Sequence, residues 1–114
     1  MNETELLDLL ARGEDSRHQF KENFSNVDAL AAELVAFANS GGGLLIVGAN
    51  DAGEVVGLTA ADISRLNPLL SNAASQSVRP PIHPFSLNVQ TARGLLMVIQ
   101  APDGLNRPYT DNQG

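Results

Sequence analysis

The chain contains no cysteine and no tryptophan, and aromatic residues make up only 4% of it. Without cysteine it can form neither a disulfide nor a thiolate metal site, and a cytoplasmic location is the default expectation. So few aromatic side chains also argue against a sheet that stacks RNA bases on its surface. No apolar run is long enough to cross a bilayer, so we expect no membrane contact.

Basic residues are scarce as well. The chain has seven lysines and arginines but thirteen aspartates and glutamates, which leaves a net charge of −6. A protein that binds nucleic acid indiscriminately would carry a broad basic surface, and this total does not predict one. The acids are concentrated at the start, because residues 1–33 hold eight of them. Residues 34–114, with five acids and four arginines, leave room for a local neutral or basic surface.

The spacing of apolar residues predicts two helices in the first third of the chain. "TELLDLLAR" repeats leucine at helical intervals, and we expect Thr4 to cap this helix and Gly13 to end it. Ser25, with Asp28 three residues later, resembles a capping box, and an apolar stripe follows it as far as Ala38. Between the two helices, "RHQFKENF" alternates apolar and polar residues as a half-buried strand does.

The rest of the chain predicts further strands around a third helix. "LLIVGA" is a continuous apolar run, typical of a strand buried on both faces, and "EVVGL" should return as the second arm of a hairpin. The third helix is expected from Thr59 or Ala60 to about Val78, with a stop, kink or restart at Pro68. "PFSLNVQTA" and "GLLMVIQAP" then form a second hairpin, and the remaining residues have loop composition. We predict an α+β fold, a mixed β-sheet with packed helices in the order α-β-α-β-β-α-β-β.

Three consecutive glycines, Gly41 to Gly43, join the second helix to the "LLIVGA" strand. A phosphate-binding loop runs from strand to helix and carries a lysine followed by serine or threonine, and neither condition is met here. We therefore predict no specific ATP affinity and no cofactor. Gly41 should end the helix, and Gly42 and Gly43 should allow close packing. The alternative is that the missing side chains leave room for a nucleic-acid backbone or another ligand.

Four segments together resemble the Schlafen-type AlbA domain, AlbA_2, formerly labelled a divergent AAA domain. They are "GEDSRHQFKENF", "ELVAFANSGGGLLIVGANDAGEVVGL", "NAASQSVRPPIHP" and "NRPYTDNQG", so the resemblance runs from about Gly13 to the C-terminus. It implies an α+β fold and a place at the N-terminus of bacterial transcriptional regulators, some of them helicase-related. Such domains are assigned nucleic-acid binding and sometimes ATP binding. We expect residues 1–114 to form one such domain, the N-terminal part of a longer protein.

The resemblance also implies a site to compare residue by residue. In animal Schlafen proteins the similar domain carries an RNA endonuclease site of three carboxylates, and the matching positions here are Glu14, Gln19 and Asp51. Gln19 offers a neutral oxygen where a carboxylate would stand, so divalent metal binding should weaken. A metal-dependent nuclease that uses Glu14 and Asp51 is one alternative. The other is that Glu14 is a surface acid and Asp51 a turn residue, with no metal site.

The leading hypothesis is a non-enzymatic module that binds DNA or RNA. Arg17, Gln19 and Lys21 should share one side of their strand by the period of two, and Arg79 and Arg107 would be outer phosphate contacts. Tyr109 could also stack on a base. His18 and His83 lie far apart in the sequence, without an acid or histidine at ligand spacing, and predict no metal site.

An acidic chain with few basic residues gains little nucleic-acid affinity from one copy. We therefore expect a homodimer, which would double the phosphate contacts, with the "GLLMVIQAP" strand as the edge that pairs. A purely structural dimerisation module is the remaining alternative, and it agrees with the acidic charge. Salt-dependent binding separates it from the leading hypothesis.

Overall fold

The computed structural model describes residues 1–113, and it has the predicted α+β architecture of three α-helices and a mixed sheet. In chain order the elements are α1 Glu3–Arg12, β1 His18–Lys21, α2 Val27–Ala38, β2 Gly43–Val47, α3 Ala60–Asn72, β3 Val78–Arg79, β4 Phe85–Thr91, β5 Gly94–Ala101 and β6 Thr110–Asp111. A π-helical turn, Ala73–Ser77, joins α3 to β3. No helix in the described part of the chain is long and apolar enough to cross a membrane.

The main sheet has four strands in the order β1-β2-β5-β4. β1 is parallel to β2, and β5 is antiparallel to both β2 and β4. β3 and β6 form a separate antiparallel pair. The prediction that "GLLMVIQAP" provides an edge for dimerisation is therefore wrong. This strand is β5, which is hydrogen-bonded on both sides, and its continuous apolar run suits an interior position.

Helices cover both faces of the sheet. α1 packs on one face, where Leu6 and Leu10 meet Phe20 and Ile46 in one buried cluster. α2 and α3 pack on the other face, over a second cluster that includes Met97 of β5. The alternation along each strand sends neighbouring side chains to opposite clusters. The core is therefore divided by the sheet into two layers.

Gly13 ends α1 as predicted, but the N-terminal caps agree with the sequence prediction only for α3. Its cap is Thr59, whose Oγ1 accepts a 3.0 Å hydrogen bond from the Asp62 N–H while the Asp62 carboxylate accepts one from Thr59. The first helix is capped by Asn2 rather than Thr4, through a reciprocal pair with Glu5. The second helix is capped by Asn26, one residue after the predicted Ser25. Asparagine and serine cap helices equally well, so neighbouring candidates compete.

Two predicted elements are shorter than expected. "EVVGL" forms no strand and makes only isolated bridges, Ala49 with Val55 and Leu58 with Leu95. The N–H groups of Val56 and Gly57 both donate to the Gly48 carbonyl, which interrupts a regular ladder. α3 ends at Asn72, short of Val78, and gives way to the π-helical turn. The helix does run through Pro68, which is exposed, so the carbonyl left without its donor can be hydrated.

The segment after β5 is packed against α2 rather than lying free. The Asn39 amide donates to the Tyr109 carbonyl at 3.0 Å and accepts from the Tyr109 N–H at 2.7 Å. The Tyr109 ring is buried, and its hydroxyl accepts a hydrogen bond from the Asn106 N–H. The prediction that Tyr109 could stack on a base is wrong, because its ring belongs to the core.

Candidate nucleic-acid interface

The three glycines are sites of close packing. α2 ends at the cap residue Asn39, ahead of the predicted Gly41, and the Gly42 N–H donates to the Phe37 carbonyl at 2.8 Å. A Cβ on Gly43 would lie 2.4 Å from the Arg17 carbonyl oxygen and 2.5 Å from the Phe37 ring. A Cβ on Gly42 would lie 2.8 Å from a backbone oxygen of β5. Gly42 and Gly43 therefore allow close packing, as predicted, and the alternative of room for a ligand beside them stays a prediction.

Arg17 lies beside the first of these glycines. It is exposed, and its guanidinium Nη1 donates a 3.1 Å hydrogen bond to the Gly41 carbonyl. An open groove runs from this side chain along Gly41–Leu44 and Gln100–Asp103. The Gly41 carbonyl therefore holds Arg17 at the rim of a shallow surface groove.

Arg107 and Arg79 belong to the same region of the surface. Arg107 is exposed and forms an ion pair with Asp103, which lines the groove beside Arg17. Arg79 is exposed on β3, where it pairs with Thr110, the residue after the Tyr109 that Asn39 holds. We call Arg17, Arg79 and Arg107 the arginine rim. Each is linked to a segment near the C-terminal end of α2, through Gly41, Thr110 and Asp103 respectively, although the three lie far apart in the sequence.

The other two predicted contacts lie on β1 and are already engaged. Gln19 and Lys21 are half-buried on the face opposite the buried Phe20. The Lys21 ammonium lies 3.4 Å from the Glu33 carboxylate on α2, and the Gln19 amide donates to the Asp15 carbonyl at 2.7 Å. The structure therefore does not bring the five predicted contact residues to one point. Three form the rim, and two lie along the strand with partners of their own.

Glu14 and Asp51, the two acids at positions that correspond to the animal endonuclease site, also belong to local hydrogen-bonded structures. The Glu14 carboxylate accepts a 3.0 Å hydrogen bond from the Phe20 N–H of β1. Asp51 is exposed in a turn that Asn50 organises, since the Asn50 side-chain oxygen accepts from the N–H groups of Ala52 and Glu54. Within residues 1–113, no three His, Cys, Asp or Glu side chains are grouped so that they could hold a metal ion.

Sequence reasoning missed the partner of His18. The His18 Nδ1 lies 2.8 Å from the Asp15 carboxylate, so the expectation of no nearby acid is wrong. A hydrogen bond from the Arg17 backbone N–H, followed by the one from His18, lowers the pKa of Asp15 below its usual 3.8. The spacing of three residues could have revealed this pair. The four-residue spacing of Asp103 and Arg107 could likewise have revealed their ion pair.

The model of the family described as Schlafen, AlbA_2 matches residues 14–114. No curated protein sequence matches the chain. One similar solved structure is the N-terminal domain of a protein from Nitrosomonas europaea whose name relates it to the ATP-dependent DNA helicase RecG. The TM-score is 0.67 at 24% identity, over 98% of this chain and 81% of that one.

A second similar structure is the DIP2311 protein from Corynebacterium diphtheriae. It has a TM-score of 0.65 at 22% identity, over 97% of this chain and only 27% of that one. Both likenesses concern the fold. They extend over nearly the whole of this chain and only part of the Corynebacterium one.

Proposed function

The chain belongs to the Schlafen AlbA_2 family, and from that premise we propose that it is a nucleic-acid-binding module of a bacterial transcriptional regulator. The observation that carries the proposal is the arginine rim. A chain with a net charge of −6 and only seven basic residues has three exposed arginines around the end of one helix. Such a grouping gives phosphate a local site on a chain that is acidic overall.

The rim arginines are suited to phosphate. A guanidinium carries five N–H donors in a planar fork, and Arg17 donates one hydrogen bond to Gly41. Its other donors have no protein acceptor among residues 1–113. The Arg107 ion pair with Asp103 is exposed on both sides, and exposed pairs contribute little, so a phosphate can displace the carboxylate. Both side chains can therefore bind a phosphate at small cost.

Lys21 and Gln19 would be secondary contacts. Lys21 must exchange its Glu33 partner for a phosphate, and the Gln19 amide must leave the Asp15 carbonyl. We expect their removal to weaken binding less than removal of a rim arginine. The name of the similar Nitrosomonas protein, which includes a DNA helicase, agrees with a role on nucleic acid.

Few contacts per copy mean weak binding, so we also propose that the protein acts as a homodimer in the cytoplasm. Two copies double the number of rim arginines, and linking two weak sites raises avidity steeply. Residues 1–114 would be one domain of a longer regulator. DNA and RNA remain equal candidates because phosphate contacts do not distinguish them.

The experiment is a fluorescence-anisotropy titration of labelled single-stranded RNA, single-stranded DNA and duplex DNA at increasing salt. We expect weak binding to at least one probe, with affinity falling as salt rises. Arg17→Ala and Arg107→Ala should each weaken it more than Lys21→Ala does. Absence of binding at low salt would leave the structural dimerisation module as the better account.

The same probes test the nuclease alternative when Mg²⁺ or Mn²⁺ is added. We expect little or no cleavage, because Gln19 replaces a carboxylate and Glu14 is bonded to the β1 backbone. Cleavage that Asp51→Ala abolishes and Gln19→Glu strengthens would instead establish the enzyme.

A further inference from the structure

Strand β4 is an edge strand whose outer backbone groups have no strand partner in the described part of the chain. The Leu95 carbonyl accepts a 2.8 Å hydrogen bond from Leu58, on the β2 side of β5. Leu95 and every second residue after it (Met97, Ile99 and Ala101) therefore direct their backbone hydrogen bonds toward β2. The residues between them (Leu96, Val98 and Gln100) direct theirs toward β4. The partners of those intervening residues include Leu87 and Val89. It follows that Ser86, Asn88 and Gln90 direct their N–H and C=O groups outward.

This edge lacks the usual protection against pairing. β4 has seven residues, "FSLNVQT", with no charged residue and no proline. Natural proteins protect exposed edges with lysine, proline, bulges or short strands. Phe85, at the start of the strand, is 67% exposed although it is a large apolar residue. A long, neutral edge beside an exposed aromatic side chain indicates a surface that is covered in the working protein.

We propose that the occupant is a second copy of this chain, paired antiparallel along β4 about a two-fold axis at Asn88. Ser86, Asn88 and Gln90 are placed symmetrically about that axis. Asn88 would then pair with Asn88 of the second copy, and Ser86 with its Gln90. Each of the three residues offers one N–H and one C=O, so all outward groups of the strand are satisfied at once.

The ends of the strand fit the same register. It places Pro84, which has no N–H, opposite Ala92 of the second copy. The Ala92 N–H is already donated to the Glu3 carboxylate of α1 at 2.8 Å. Pairing therefore stops where neither residue has a free donor. A register shifted by two residues would place Gln90 opposite Pro84, or Ser86 opposite Ala92, and would leave an outward C=O of one copy without a donor.

Side chains and charge also suit a second copy. The register brings Phe85 over Thr91 of the second copy and Leu87 beside its Val89, which covers apolar surface on the α1 face. Ser86 borders a groove of about 310 Å³ between α3 and β4, and the second copy's Gln90 lies opposite Ser86. Each copy has a net charge of −6, but no charged residue lies between Pro81 and Ala92, so the repulsion at the edge itself is small.

The test is the mass of the protein by light scattering from low to high micromolar concentration. We expect a monomer that becomes a dimer, because one strand pair is a small interface. Asn88→Lys should hold the protein as a monomer, since it places two ammonium groups opposite each other across the axis. Ser25→Lys adds the same charge at an exposed position outside the edge and should leave the dimer intact.

Amide hydrogen exchange in the unmodified protein gives a second readout that needs no variant. The N–H groups of Ser86, Asn88 and Gln90 should become protected as concentration rises, while those of Leu87 and Val89 are protected throughout. A monomer mass at every concentration, or a dimer that Asn88→Lys does not disturb, overturns the proposal. This proposal rests on the homodimer of the proposed function. A monomer mass removes both, a dimer that Asn88→Lys leaves intact removes only the β4 pairing, and nucleic-acid binding is tested separately by the salt titration.

Discussion

Strands β1 and β4 form the two edges of one sheet, yet their outward backbone groups have different surroundings. At β1 the chain covers its own edge: Asp15 exchanges backbone hydrogen bonds of 3.0 and 3.4 Å with His18, and the Glu14 carboxylate accepts from the Phe20 N–H. β1 has only four residues, whereas β4 has seven and an open outer side.

The difference separates two kinds of surface. An edge strand that is covered by its own loop and bordered by charged residues is protected against pairing with another strand. The side chains around such an edge can still contact ligands in solution. An uncharged edge with free donors and acceptors is suited to another strand. The β1 end of the sheet, next to the arginine rim, would therefore bind nucleic acid, and the β4 end would bind a second copy.

The largest expected effect comes from filling the close contact beside β1. Gly43→Val should lower the free energy of unfolding by about 1–3 kcal/mol, because the new side chain overlaps the Arg17 carbonyl and the Phe37 ring. Ser25→Val places the same side chain at an exposed position outside both strands and should change stability by less than about 0.5 kcal/mol. Urea denaturation measures both. Equal midpoints for Gly43→Val and the unmodified protein would show that the contact is not tight.

A smaller effect should follow from uncovering β1. Glu14→Ala removes the acceptor of the Phe20 N–H and should cost about 1 kcal/mol, the usual net value of one hydrogen bond. Amide exchange at Phe20 should become faster. Glu22→Ala removes the same charge from an exposed neighbour and should leave Phe20 unchanged. If Glu14→Ala also leaves its exchange rate unchanged, the carboxylate does not protect this edge.

The smallest effect is a response to acid at the β1 end. The pKa of Asp15 is lowered in the folded state, so its stabilising contribution is complete above pH 3.8 and is lost as the pH falls through the lower, folded value. NMR should show the Arg17 and His18 amide shifts titrating with a midpoint below 3.8. β4 carries no titratable side chain and should not respond directly. A midpoint at or above 3.8 contradicts the hydrogen bonding described for Asp15.

The sequence was sufficient for the fold class and for the strands inside the sheet. "GLLMVIQAP" and "LLIVGA" are continuous apolar runs, and both strands lie inside the sheet as such runs favour. The same signal would have identified the open edge, because "FSLNVQT" alternates apolar and polar residues. The prediction of β5 as the edge overlooked that contrast. Helix caps were off by one or two residues where several cap formers are adjacent.

Contacts between distant residues were not accessible from the sequence. Asn39 and Tyr109 are separated by 70 residues, and only the packing of the last segment on α2 brings them together. The arginine rim depends on that packing, because it brings Arg107 and Arg79 to the end of α2. Gln19 and Lys21 were placed on the right strand, but their engagement with Asp15 and Glu33 depends on the loop and helix beside them.

The most direct test of the account compares two double variants with the same net charge in a salt-dependent binding titration. Arg17→Gln with Arg107→Gln removes two rim arginines, and Arg12→Gln with Arg93→Gln removes two exposed arginines elsewhere, so each pair lowers the net charge from −6 to −8. We expect the rim pair to reduce affinity strongly, and the slope of log affinity against log salt to fall by about one for each lost phosphate contact. The control pair should keep the original slope. Equal losses in the two double variants would mean that binding follows total charge, and would contradict the assignment of the rim as the interface.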